Sequence, residues 1–162
     1  MPIDKVVINA SPLILLYNSD SSFVLPELFK EIMVPDAVWR EIVETSNDDK
    51  AARLAPQSQW LKKVSVSALT DILRWDLGSG ETEVLSFALI NSAYVPVLDD
   101  SAAKKCATAF GISTLGTGSV LILAKEKGLI DSVGSAMHKL RNAGMWISDS
   151  VVELIKSKAG EC

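Results

Sequence analysis

The sequence predicts a three-layer α/β/α sandwich with a central, mainly parallel sheet of about four or five strands. Short apolar runs alternate with longer stretches of helical periodicity, which is the pattern that βαβ crossovers produce. The runs are continuous rather than alternating, as in strands that are buried on both faces. The 162 residues contain no internal repeat or linker, so we expect a single domain over residues 1–162.

The first elements follow from short-range signals. Lys5–Asn9 is an apolar run and predicts the first strand. Ser11 followed by Pro12 predicts a helix start, with the serine as N-cap and the proline at the first helical position. Residues 23–30 continue as helix, and residues 32–34 form the second strand.

The middle of the chain is less regular. Pro35-Asp36 opens a helix that runs to about Thr45. Residues 46–59 are rich in Asn, Asp, Ser and Gln and predict a looser segment with a short helix in the 50s. Residues 60–66 predict a third strand, although their apolar positions alternate only in part.

The second half returns to strict alternation. Ser79-Gly80-Glu81 begins a helix to about Asn91, and residues 94–98 form the next strand. Asp99-Asp100 leads into a helix that ends at Phe110. A last short strand is predicted at residues 112–115, followed by helices at about 117–127, 131–143 and 147–158.

Composition excludes several classes of protein. The net charge of −4 argues against bulk electrostatic coating of nucleic acid. Two cysteines, Cys106 and Cys162, do not make a disulfide framework. Because no signal-peptide pattern opens the chain and its apolar runs are too short to span a bilayer, we expect a cytoplasmic protein without a membrane segment.

Charge is distributed unevenly. Residues 1–100 contain 8 Lys/Arg against 15 Asp/Glu, whereas residues 101–162 contain 8 against 5. An acidic half joined to a mildly basic half suits a metal site beside a surface that binds phosphates. Ordinary solvated charge with chance asymmetry explains the same counts.

Polar side chains follow the predicted strands at the edge where parallel sheets bind ligands. Asn9 follows the first strand, Asp99 and Asp100 follow the fourth, and Glu81 opens the helix between them. Glu81 stands at the head of an apolar stripe and should face inward, whereas Glu83, about 200° away, should face solvent.

Each of these residues also has an ordinary structural explanation. Glu81 complements the helix dipole, and an Asp before a helix is a standard N-cap, although only one of Asp99 and Asp100 is needed for that. Asn9 fits a turn between strand and helix. Glu41 lies outside the apolar stripe of its helix and, by periodicity alone, is a solvated surface residue.

Other chemistries find little support. His138 is the only histidine, and no cysteine pair has zinc-binding spacing. The glycines of residues 111–118 (GISTLGTG) match neither a dinucleotide-binding nor a P-loop pattern. Carboxylates without His or Cys favour hard cations such as Mg²⁺ or Mn²⁺, whose usual chemistry is phosphoryl transfer.

Four segments together resemble a known family. They occur in the order VVINASPLILLYN, VPDAVWREIVE, LGSGETEVLSFALINSAYVPVLDDSAAKKCA and GISTLGTGSVLILAKEKG. The chain resembles PIN domains over nearly its whole length. It looks most like the subgroup whose first strand ends in Asn-Ala-Ser-Pro-Leu, related to VapC-type toxins of bacterial toxin–antitoxin pairs.

The resemblance implies a site of four positions, Asn9, Glu41, Glu81 and Asp99, with Asp100 as a further candidate ligand. In PIN domains such carboxylates hold one or two divalent ions that activate water. Glu81 and Asp99 would be principal ligands and Glu41 a ligand or water-positioning base. Asn9 stands where the family pattern has Asp, so it would be a neutral ligand.

Residues near the substrate follow from the same resemblance. Ser11 falls where the family often has a hydroxyl near the site. Lys104 and Lys105, one turn past Asp99, would contact RNA phosphates, although an ordinary exposed helix face is the favoured explanation for both.

The function that the resemblance implies is a metal-dependent ribonuclease, the toxin-like member of a pair with a small antitoxin protein. The main alternative is a degenerate PIN domain that binds RNA or a protein without catalysis, because Asn9 departs from the pattern. A receiver domain fits poorly, since its acidic pair would follow the first strand. The last helix is unusually apolar, so we expect a homodimer or a partner-covered groove, through Trp146, Ile147, Val151, Val152 and Ile155.

Overall fold

The computed structural model describes residues 3–44 and 49–161. Within them the strands are β1 (Lys5–Ile8), β2 (Glu31–Pro35), β3 (Leu61–Val64) and β4 (Val95–Val97). They form one parallel sheet in the order β3-β2-β1-β4. The predicted α/β architecture with a parallel sheet flanked by helices is confirmed.

The helices cover the sheet and lead the chain back between parallel strands. They are α1 (Ala10–Asn18), α2 (Val24–Leu28), α3 (Asp36–Val43), α4 (Lys50–Leu54), α5 (Thr70–Leu73), α6 (Ser79–Ile90), α7 (Ser101–Ala109), α8 (Thr117–Glu126), α9 (Val133–Asn142) and α10 (Asp149–Lys158). A 3-10 turn at Ala55–Gln57 follows α4. None of these helices is long and apolar enough to cross a membrane.

The core is centred on β1, which pairs with β2 on one side and β4 on the other. Val6, Val7 and Ile8 are fully buried, and each such side chain contributes about 1.5–3 kcal/mol of transfer free energy. The continuous apolar run is therefore the signature of a central strand. Because β1 and β4 are neighbours and parallel, the residues that follow them, Asn9 and Asp99, meet at one edge of the sheet.

The predicted strand at residues 112–115 is not a strand. Only Leu115 pairs with the sheet, through an isolated parallel bridge to Val97. Its amide donates to the Pro96 carbonyl at 2.9 Å, and its carbonyl accepts from the Leu98 amide at 3.0 Å. Since α8 begins at Thr117, the chain turns away before a second pair can form.

The predicted N-cap at Ser11 is wrong. Helix α1 begins at Ala10, and its N-cap is Asn9, in an extended conformation and without a capping hydrogen bond from its side chain. Pro12 still lies in the first turn, where its missing N–H leaves no helical hydrogen bond unmade. The shift places Asn9, rather than Ser11, at the junction between strand and helix.

Several boundaries differ from the prediction. The helix predicted at residues 23–30 covers only Val24–Leu28, and α3 ends at Val43. The predicted end of α3 at Thr45 and the following residues 46–48 lie outside the described residues. The short helix expected in the 50s is confirmed, whereas the single turn of α5 was not predicted because it is too short to show a period.

Candidate active site

Asn9 lies at the carboxyl end of β1. Its amide N–H donates to the Val97 carbonyl at 3.0 Å, which fixes the backbone against β4. The side chain is only 4% exposed, and its buried Oδ1 has no hydrogen-bond partner among the described residues. A buried carbonyl oxygen without a partner is costly. A hydrogen-bond donor or a cation placed beside this oxygen would remove that cost.

Asp99 follows β4 and is held from across the site by Thr117. The Thr117 amide donates to Asp99 Oδ1 at 2.9 Å and its hydroxyl to Oδ2 at 2.5 Å. Thr117 is fully buried and is the first residue of α8. These two bonds orient the carboxylate before any ligand arrives.

Asp100 has a different task. Its Oδ2 accepts from the Ala103 amide at 2.9 Å, so it is the N-cap of α7. The argument that only one of the two carboxylates is needed as a cap is therefore confirmed, and Asp99 is not used for that purpose.

Glu81 lies in the first turn of α6, and its carboxylate bends back over the start of the helix. A Cβ placed on Gly78 would lie 2.6 Å from Glu81 Oε2, closer than any real contact. Glycine at the N-cap position therefore leaves the room that the carboxylate occupies.

Glu41 reaches the same region from α3. A Cβ on Gly80 would lie 3.1 Å from Asn9 Oδ1 and 3.4 Å from Glu41 Oε1. Gly80 thus lets α3 and α6 approach closely enough to bring these two oxygens beside one point. Although much of the Glu41 side chain is accessible, desolvation of its carboxyl, aided by the negative charge of Glu81, raises its pKa.

A cleft of about 370 Å³ collects most of the predicted site residues. Its polar lining consists of Asn9, Ser11, Glu81, Asp99 and Asp100. Lys104 is half-buried and lies in an adjoining groove, near Asp99. Lys105 is exposed on α7 and lines neither the cleft nor this groove.

Comparison with known families adds one decisive observation. A family model described as a PIN domain matches residues 5–161, which is nearly the whole chain. The chain belongs to the PIN-domain family. A search of curated proteins finds no match. Membership indicates nuclease activity in general, and PIN nucleases generally depend on divalent metal ions. The relation to VapC-type toxins stays a prediction.

The donor set of this PIN domain fits a hard divalent cation. Within residues 3–44 and 49–161, no three His, Cys, Asp or Glu side chains are grouped closely enough to hold a metal. Mg²⁺ does not need such a group, because it usually keeps several waters and takes one or two carboxylates. Glu81, Asp99 and the unpaired amide oxygen of Asn9 supply oxygen ligands of this kind.

Sequence reasoning missed two supports of the PIN site. Thr117 was passed over as part of a glycine-rich loop, yet a polar residue at the start of a predicted helix is a typical anchor for an anion. Glu83 does not face solvent as predicted. It is half-buried, and its Oε1 accepts from the Ala37 amide at 3.0 Å.

The role of Glu83 follows from the start of α3. The N-cap of that helix is Pro35, whose side chain offers no hydrogen bond. Glu83 on α6 therefore caps α3 from a distance, which fixes the helix that carries Glu41 against the helix that carries Glu81. A proline in place of a capping residue was the available signal in the sequence.

Proposed function

We propose that this PIN domain is a cytoplasmic ribonuclease that hydrolyses RNA phosphodiester bonds with Mg²⁺ or Mn²⁺. The observation that carries the proposal is the buried, unpaired Oδ1 of Asn9 in the same cleft as Glu81 and Asp99. An oxygen that lacks a donor beside two carboxylates matches the requirement of a hard cation. Family membership supplies the nuclease class.

Each side chain then has a defined task. Glu81, Asp99 and Asn9 would hold the ion, which when bound lowers the pKa of a water and neutralises phosphate charge. Thr117 holds the Asp99 carboxylate in one orientation. Glu41, whose raised pKa makes it a stronger base than an ordinary glutamate, would position the attacking water and take its proton. Asp100 caps α7, so we assign it to the helix end and not to the ion.

The finer part of the proposal concerns partners. Resemblance to the Asn-Ala-Ser-Pro-Leu subgroup supports a toxin-like ribonuclease that is inhibited by a small antitoxin protein. Homodimer formation through the apolar last helix stays a prediction, and it would compete with any ligand for Val151 and Leu154, which are 42% and 54% exposed. Ser11 at the rim of the cleft is proposed to contact RNA.

The identity of residue 9 supports a second candidate function. Asn9 replaces the carboxylate of the family pattern, which removes a negative charge from the site. A degenerate PIN domain that binds RNA or a protein partner without cleaving is the alternative that this substitution favours.

Cleavage of a labelled RNA in Mg²⁺, Mn²⁺ and EDTA tests the proposal. We expect metal-dependent cleavage that Asp99→Asn abolishes, because the amide removes a charged ligand. Thr117→Val should reduce the rate by about tenfold or more, since it deletes the hydroxyl that orients Asp99, whereas Thr117→Ser should retain most of it.

The matched control is Asp131→Asn, an exposed carboxylate after α8, which should cleave like the wild type. RNA that stays intact in every metal, while still binding to the wild-type protein, would instead support the degenerate domain.

A further inference from the structure

A groove of about 480 Å³ adjoins the acidic cleft and runs between α7, the start of α8 and α10. Asp99, Met145 and Trp146 line both the cleft and the groove. We call it the α8–α10 groove. Because the two are continuous, a polymer bound at the carboxylates would extend into the α8–α10 groove without leaving the surface.

Trp146 stands at the junction, and its side chain is 87% exposed. A tryptophan this exposed leaves a large apolar ring face in water, and together with the exposed Val151 and Leu154 of the same groove it forms an apolar patch of the kind that marks a binding site. It lies in the connection between α9 and α10, after Gly144, whose φ of +113° suits glycine.

The backbone on both sides of Trp146 is fixed. The Met145 amide donates to the Leu140 carbonyl at 3.0 Å. The Ile147 carbonyl accepts from both Nε and Nη2 of Arg141, at 3.2 and 2.5 Å, and the Ile147 side chain is buried. The exposed ring is therefore presented by a structured segment, which lowers the entropic cost of using it for binding.

The charge of the α8–α10 groove complements a phosphate backbone. Lys104 and Lys158 both line it, and neither forms a salt bridge within the described part of the chain. A Cβ on Gly116 would lie 3.7 Å from Lys104 Nζ and 3.1 Å from Asp99 Oδ1, so this ammonium lies beside the acidic site. Its position suits a contact to a backbone phosphate of a polymer that is bound at the carboxylates.

We infer that the α8–α10 groove binds single-stranded RNA, with an unpaired base stacked on Trp146 and flanking phosphates near Lys104 and Lys158. Stacking needs an open base face, which a duplex does not offer, and proteins that bind single strands combine aromatic platforms with basic grooves. Trp146 is then a specificity-determining residue for unpaired RNA. The inference rests on the proposed ribonuclease function.

Binding is measured apart from cleavage, by fluorescence anisotropy of a labelled oligoadenylate of about ten nucleotides in Ca²⁺, with RNA length checked afterwards. Trp146→Ala should weaken binding roughly five- to 150-fold, which is the usual value of one base stack. Trp146→Phe should retain most of the affinity. The matched control is Trp75→Ala, a 41% exposed tryptophan that lines neither the cleft nor the groove, and it should stay within about twofold.

A second arm uses the same RNA annealed to its complement. Wild type and Trp146→Ala should bind this duplex equally, because its bases are already stacked. Equal affinity of the two proteins for the single strand would overturn the inference. So would a loss shared equally by Trp75→Ala.

The outcomes separate this inference from the function on which it rests. Binding that depends on Trp146 without cleavage in any metal supports the RNA groove and contradicts the nuclease. Metal-dependent cleavage together with an unchanged RNA affinity of Trp146→Ala supports the nuclease and contradicts the RNA groove. If Trp146→Ala changes only the sedimentation coefficient, the ring belongs to a protein interface and the inference is overturned.

Discussion

The oxygens of Asn9 and Glu41 lie beside the same point near Gly80, where both are hydrogen-bond acceptors. Two arrangements would give the buried Asn9 oxygen a partner. Either a cation binds it, or the Asn9 amide turns over so that its N–H group takes that place and its oxygen faces the cleft. A carboxylate at position 9 permits only the first. The asparagine at position 9 therefore permits either arrangement, and its replacement by aspartate tests which one the site uses.

Asn9→Asp distinguishes the two arrangements. If a cation binds the Asn9 oxygen, the added charge should tighten Mn²⁺ binding by about tenfold. It should also lower the unfolding temperature in EDTA, because it adds a like charge near Glu41 and Glu81. Calorimetric Mn²⁺ titration and thermal melts measure both effects. Asn142→Asp, on the exposed end of α9, is the charge-matched control and should leave Mn²⁺ affinity unchanged. Weaker Mn²⁺ binding by a folded Asn9→Asp protein would show that the amide N–H is needed.

At the scale of elements, α10 packs on the surface of α8 and α9, and none of its residues is fully buried. Ile155 packs on Gly118 of α8 so closely that a side chain at position 118 would overlap Ile155 Cδ1. Beyond the helix, Glu161 accepts from the Val133 and Gly134 amides at 2.7 and 3.0 Å, and pairs with Lys125 at 2.9 Å. The carboxylate thus caps α9 and holds the segment after α10 against α8 and α9.

This attachment should depend on pH. Lys125 and the two backbone amides lower the pKa of Glu161 to about 2, from an ordinary value of 4.5. Because the folded pKa is depressed, the stabilisation is fully present above pH 4.5 and is lost as pH falls toward 2. Glu161→Gln should therefore unfold more easily at pH 7, and its stability should approach that of the wild type at acid pH.

Hydrogen exchange of α9 and α10 across this range measures the effect. Glu153→Gln is the matched control, because Glu153 is an exposed carboxylate on α10 with a long contact to Lys156. It should follow the wild type at every pH. A constant difference between Glu161→Gln and wild type from pH 7 to 2 would contradict the role of the ionised carboxylate.

For the whole molecule, the strand–helix alternation was readable from sequence because a parallel sheet imposes it on every crossover. The carboxyl-end rule then placed Asn9 and Asp99 at one edge. The sequence did not reveal the contacts between residues that are far apart along the chain. The cap that Glu83 provides to α3 joins residues that are 46 apart. Glu41 and Asn9 both approach Gly80 only because this residue has no side chain.

The failed strand at residues 112–115 and the misplaced N-cap at Ser11 have a common cause. Both depend on where the chain turns relative to the sheet, and local propensity does not specify that position. The single pairing of Leu115 and the helix start at Ala10 are set by packing against β4 and β1. The identity of the bound ion, the antitoxin and the dimer remain predictions.

The central claim is that Glu81 and Asp99 hold a divalent ion, and a thermal melt with and without Mg²⁺ or Mn²⁺ tests it most directly. An ion at about 100 times its Kd adds about 2.7 kcal/mol to the folded state, which should raise the unfolding temperature by about 5–10 °C. Glu81→Gln should melt slightly higher than wild type in EDTA, because it removes a charge that repels Glu41, and both Glu81→Gln and Asp99→Asn should lose the rise. Asp131→Asn should keep it. A rise that persists unchanged in both site variants, or a wild type that does not respond to either ion, would contradict the account.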